Sequence, residues 1–113
     1  MQGLEVVVSL EAQDDIVEIS DYIDQTFGMS QAVRFRSEIK KAIDNLEYTS
    51  MIYGETGFEY RGKMIYKKHF LPSLIFYYVE NEVSYVIRVL RQECEWYKII
   101  NRQDAEYHFP END

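Results

Sequence analysis

The chain has 113 residues, enough for one domain with one core, and its 46% hydrophobic and 28% charged residues place it among folding rather than disordered sequences. A formal charge of -8 argues against unaided binding along a nucleic-acid backbone, which requires a positive field. The single cysteine, Cys94, excludes an internal disulfide and any multi-cysteine zinc site.

Leu4-Glu5-Val6-Val7-Val8-Ser9-Leu10 is short and β-branched, and it predicts a first strand. A helix follows. Ser9 is its candidate N-cap, and Glu11, Asp14 and Asp15 crowd the first turn, where the helix dipole favours acids. Ala12, Ile16, Ile19, Ile23 and Phe27 then fall on one helical stripe, and Gly28 offers a stop. Ser30 is the N-cap candidate of a second helix, whose stripe is Ala32, Phe35, Ile39, Ala42 and Leu46, widened by Val33 and Ile43. The short connection around Gly28-Met29 makes the two an antiparallel hairpin. Asp14, Asp15, Glu18, Asp21 and Asp24 fall mostly outside the apolar stripe and predict a solvated acidic face. No histidine joins them and no EF-hand spacing is present, so no metal site is expected.

Residues 48–62, YTSMIYGETGFEYRG, read as a long loop broken by Gly54, Gly57 and Gly62. Three strands follow. Lys63 to Phe70 alternates, with Met64, Tyr66 and Phe70 on one face and Lys63, Lys67 and His69 on the other. Leu71-Pro72-Ser73 turns the chain into LIFYYV, Leu74 to Val79, which is apolar on both faces and predicts a central strand. Beyond a turn at Glu80-Asn81-Glu82, the last strand runs from Val83 to Arg91. Its odd positions, Val83, Tyr85, Ile87 and Val89, read as a core face, and Ser84, Val86, Arg88 and Leu90 as a mixed one. ECEWYKII, with Trp96 and Tyr97, reads as a short docked segment. Residues 101–113 read as an acidic, frayed tail outside a domain spanning 1–100.

The order of strand, helix hairpin and three-stranded antiparallel meander predicts an α+β fold, one sheet with the helices on one face. The other face is expected to be open and to carry Lys63, Lys67, His69 and Arg88. Charge fits such a face: residues 1–60 hold 12 acids and 4 bases, whereas residues 61–100 hold 4 acids and 7 bases, net +3. No run approaches the ~18 apolar residues of a membrane span, and Met1-Gln2-Gly3 starts no secretory signal. A cytoplasmic location without membrane contact is expected.

These elements resemble the RelE/ParE superfamily of toxins from bacterial type II toxin–antitoxin systems. LEVVVSLEAQDDIVEISDYIDQTFG is similar to the family's first strand and helix, through Ala12, Asp15, Ile16, Ile19, Tyr22 and Ile23. Ala32, Phe35 and Leu46 match its second helix, and LIFYYVENEVSYVIRVLRQ its final hairpin. The resemblance covers roughly residues 4–98. It implies a plasmid-stabilisation toxin without cofactor, partnered by a cognate antitoxin, with a homodimer allowed. It also implies one of two activities. RelE-like members cut messenger RNA on the ribosome without metal; ParE-like members poison DNA gyrase by binding.

Metal-free RNA cleavage needs a base, an acid and cations that steady the phosphorane. For that reading the resemblance puts Lys67 and Tyr97 at family positions, with Arg91 as the candidate cation one residue away from a third. However, Leu74 and Gln92 stand where two family arginines are expected. The ParE-like reading loses less, because Arg88-Val89-Leu90 matches that branch's R-V-L, with Arg91 in place of a histidine. The expected target-binding residues are Lys63, Lys67, His69, Arg88 and Arg91. The first function expected is therefore gyrase inhibition. The alternatives are a ribosome-dependent endoribonuclease, or a toxin fold that has lost toxicity.

Overall fold

Ser9 turns the chain from strand to helix. Its hydroxyl accepts the Ala12 N–H at 2.9 Å and donates to the Ile87 carbonyl at 2.8 Å. One side chain thus caps α1 (Leu10–Phe27) and ties it to the sheet. The computed structural model describes residues 3–110. Gly28, at φ 101°, ends α1 and is the residue before α2 (Met29–Asp44). The second helix therefore starts two residues earlier than a cap at Ser30 predicts, because a positive φ at glycine reverses the chain without a longer loop.

β1 (Glu5–Val8) pairs in parallel with β5 (Val83–Arg91), and with β2 (Gly54–Tyr60), β3 (Lys63–Phe70) and β4 (Ser73–Glu80) the sheet order is β1-β5-β4-β3-β2. β3 (Lys63–Phe70) and β4 (Ser73–Glu80) continue antiparallel. The helix hairpin supplies the crossover that a parallel pair requires. The expected long loop at 48–62 is ordered instead. Leu46–Thr49 form a short helix, α3, Ser50–Ile52 a 3-10 turn, and Gly54–Tyr60 the edge strand β2. The meander thus has four strands rather than three. Glycines hid β2: Gly57 sits at φ 85° inside a register shift between Glu55 and Glu59, which breaks the two-residue alternation.

The helices cover one face. Ile19, Phe35, Ile39 and Leu46 pack there with Ile75, Tyr77, Val86 and Val89. The Tyr77 hydroxyl donates to the Ser50 carbonyl, and Lys68 is buried on this side with Nζ donating to the Ala42 carbonyl at 2.7 Å.

A bulge in β5 changes the expected faces. Tyr77 stands opposite Val86 but Phe76 opposite Arg88, so Ile87 is the extra residue. Val86 and Val89 therefore join the helix-side core, while Tyr85, Ile87 and Leu90 face the other way. The odd-numbered core face read from the sequence does not survive this shift of phase.

The second face is not open. Tyr60, Ile65, Leu74, Phe76 and Tyr78 form a second core there, closed by α4 (Trp96–Ile100) and by Tyr107 and Phe109. The expectation of a frayed 101–113 does not describe residues 105–109. Tyr107 is buried, its N–H donates to the Tyr60 hydroxyl at 3.1 Å, and the His108 carbonyl accepts from Leu10 N–H at 2.7 Å. Residues 111–113 lie outside the described part.

Candidate functional site

The cationic residues singled out above fall into two groups. Lys63, Lys67 and His69 share one face of β3, with Lys63 and His69 exposed and Lys67 half-buried. The Lys67 ammonium lies 4.7 Å from the centroid of the Trp96 ring, a cation–π contact. Tyr97 is exposed and meets the Trp96 ring edge-on, 6.0 Å between centroids. Arg88 and Arg91 line a separate cavity of about 400 Å³ between α1, β5 and α4, with Asp15, Ile19, Tyr22 and Ile99.

Lys67, Phe76 and Arg88 occupy one cross-strand row. Phe76 is buried at its centre, and Trp96 packs on it with ring centroids 5.3 Å apart. At the ordinary strand spacing, Lys67 and Arg88 are about 10 Å apart at the backbone. An aromatic wall thus stands between the two cations.

Arg88 is committed to Asp15. Its Nε and Nη2 donate to the two carboxylate oxygens of Asp15 at 2.7 and 2.8 Å. The same carboxylate accepts the Val89 backbone N–H at 3.0 Å. β1 has ended by this point, so Asp15 satisfies an edge group that a longer β1 would have bonded. The hydrogen bond to Asp15 outweighs burial and holds the Arg88 guanidinium even more firmly protonated than usual. Asp15 is therefore not part of a solvated acidic face; it is buried at 8% exposure. Its role was hidden because its partners lie more than 70 positions away, although it does occupy a position of the family pattern.

Arg91 stacks over Tyr22, 4.1 Å from the ring centroid, and pairs with Glu93. Cys94, at the rim, has its thiol pushed up by burial first and Glu93 second. His108 pairs with Glu11 at 2.8 Å, and that hydrogen bond raises the imidazole's pKa. Among the described residues no group of three His, Cys, Asp or Glu could hold a metal ion, and no helix is long and apolar enough to cross a membrane.

A second concavity, of about 520 Å³, lies between the tip of the helix hairpin and the β3–β4 turn. Ile23, Phe27, Phe35, Phe70 and Leu71 line it, with Phe27 and Leu71 exposed.

The family model described as ParE toxin of type II toxin-antitoxin system, parDE, matches residues 6–96. Among solved structures the chain is similar to one described as the chromosomal ParDE TA system from P. aeruginosa, with a TM-score of 0.65 and 16% identity. The alignment covers 78% of this chain and 95% of that one. That likeness is one of fold. No curated protein matches the sequence.

Proposed function

Because the chain belongs to the family of ParE toxins of type II toxin–antitoxin systems, we propose that it acts by binding DNA gyrase and that a cognate antitoxin neutralises it. The observation that carries this reading is the commitment of Arg88 to Asp15. Phosphoryl chemistry without metal needs uncommitted cations converging on one phosphate. Here Arg88 is neutralised, Arg91 is paired with Glu93 and Lys67 lies across the Phe76–Trp96 wall. A binding surface has no such requirement. Lys63, Lys67 and His69, with the exposed Tyr97 against Trp96, then make the contact surface for the target. Arg88 and Arg91 shape its neighbouring cavity.

For the antitoxin, the apolar groove at the hairpin tip suits one face of an amphipathic helix. Phe27 and Leu71 are its exposed anchors.

Pulse-labelling after induction in a bacterium lacking the antitoxin tests the reading. DNA synthesis is expected to stop before protein synthesis. If protein synthesis stops first, the ribonuclease reading replaces this one, and Lys67, Arg91 and Tyr97 become the residues to substitute. If neither stops, the fold persists here without toxicity.

A further inference from the structure

Residues 105–109 lie beyond the stretch that the family model matches, yet they fill a trough on the second sheet face. The trough's floor is aromatic. Tyr78 and Tyr85 stack at 4.9 Å, and Tyr60 lies 5.5 Å from Tyr78. The segment crosses it with strand-like alternation. Ala105, Tyr107 and Phe109 face inward while Glu106, His108 and Pro110 are exposed. Tyr107 meets Tyr60 at 4.9 Å, and Phe109 meets Tyr85 at 4.9 Å, both edge-on. The segment joins no strand ladder.

The trough also presents matched polar groups. The Tyr60 hydroxyl accepts the Tyr107 N–H, and the first N–H of α1, on Leu10, donates to the His108 carbonyl. Glu11 accepts both the His108 N–H, at 2.7 Å, and its ring nitrogen. A carboxylate at that place favours a cation at the outward position of whatever lies in the trough. Two ring sites two residues apart, two backbone receptors and one carboxylate between them amount to a recognition code for a short extended peptide.

We propose that this trough is a peptide-binding surface, occupied in cis by residues 105–109. In trans it would take a protein segment with aromatic side chains at alternate positions and a cation between them. The linker at 101–104 is exposed and held by short-range contacts, the Asn101 N–H to the Tyr97 carbonyl and the Arg102–Asp104 pair, so release uncovers Tyr60, Tyr78 and Tyr85 but leaves the helix-side core in place. This inference is independent of whether gyrase is the target.

The test adds a fluorescent peptide, Ala-Glu-Tyr-His-Phe-Pro, to the full chain. A tethered segment competes at an effective concentration on the order of millimolar. The wild-type chain should therefore bind the peptide only near that concentration. Tyr107→Ala/Phe109→Ala should bind it at least ~10-fold more tightly, the cis competitor having been weakened. His108→Glu keeps every core ring and sets two carboxylates together, so it serves if the double variant fails to fold. It should bind at least ~3-fold more tightly than wild type. A peptide with alanine at both aromatic positions should not bind. Folded variants that bind no better than wild type, or that bind the alanine peptide equally, would overturn the proposal.

Discussion

Asp15 joins α1 to the end of β5 through two hydrogen bonds from Arg88 and one from the Val89 N–H. Removing it strands a largely buried guanidinium and an edge N–H together. Asp15→Ala should cost about 2–4 kcal/mol of unfolding free energy, measured by urea denaturation. Asp15→Asn keeps an acceptor for Val89 and should cost less. Arg88→Glu sets a second carboxylate against Asp15 and should lower the melting temperature by at least ~10 °C. A loss of toxicity in that variant therefore has to be read beside its melting curve. At the surface, the His108–Glu11 contact depends on pH. The bond to Glu11 raises His108, so its contribution is complete below the unfolded value, about 6.5, and is lost as pH rises through the folded one. For Glu11 burial acts upward, but the combined hydrogen bonds from His108 leave it lower. Its contribution is present above about 4.5 and is lost as pH falls through the folded value. Exchange protection of the Leu10 amide should peak between those limits. A flat profile from pH 5 to 9 would show that this pair does not hold the segment.

At the scale of elements, the turns carry the local strain. Two of the three two-residue hairpin turns have positive φ throughout, Arg61-Gly62 and Asn81-Glu82. Glycine is the preferred residue at the second position of such a turn. Glu82, at φ 64°, is strained there. Glu82→Gly should stabilise the chain by about 0.5–1 kcal/mol, seen as a higher urea midpoint with an unchanged slope. Ser9→Ala should cost about 1–2 kcal/mol, since it removes both a helix cap and a bond to the Ile87 carbonyl. Helices and continuous strands were legible in the sequence because their apolar period repeats over many residues. The spans Lys63–Phe70 and Val83–Arg91 have the bounds read there, and the alternation holds along Lys63–Phe70. β2 was not legible, because Gly57 and the bulge interrupt its period. The bulge at Ile87 shifted a face for the same reason: one inserted residue reverses every later side chain.

For the molecule as a whole, a net charge of -8 and a basic stripe coexist because folding separates them. Lys63, Lys67 and His69 emerge on one face of β3, while Asp14, Glu18, Asp21 and Asp24 remain on α1. The residue types of the candidate site were visible in the chain, but their arrangement was not. Nothing in the spacing of Lys67 and Arg88 shows that Phe76 and Trp96 divide them, or that Asp15 neutralises one of them. The closing segment was misread because acidic composition outweighed three well-spaced inward residues, Ala105, Tyr107 and Phe109. Binding without catalysis separates from ribonuclease activity in a single experiment. The purified chain is titrated into a gyrase supercoiling reaction, with messenger RNA on ribosomes incubated in parallel. Supercoiling should be inhibited, and Lys63→Glu/Lys67→Glu should weaken that inhibition by at least ~10-fold, while the RNA stays whole. Cleaved RNA with unimpeded supercoiling would contradict it.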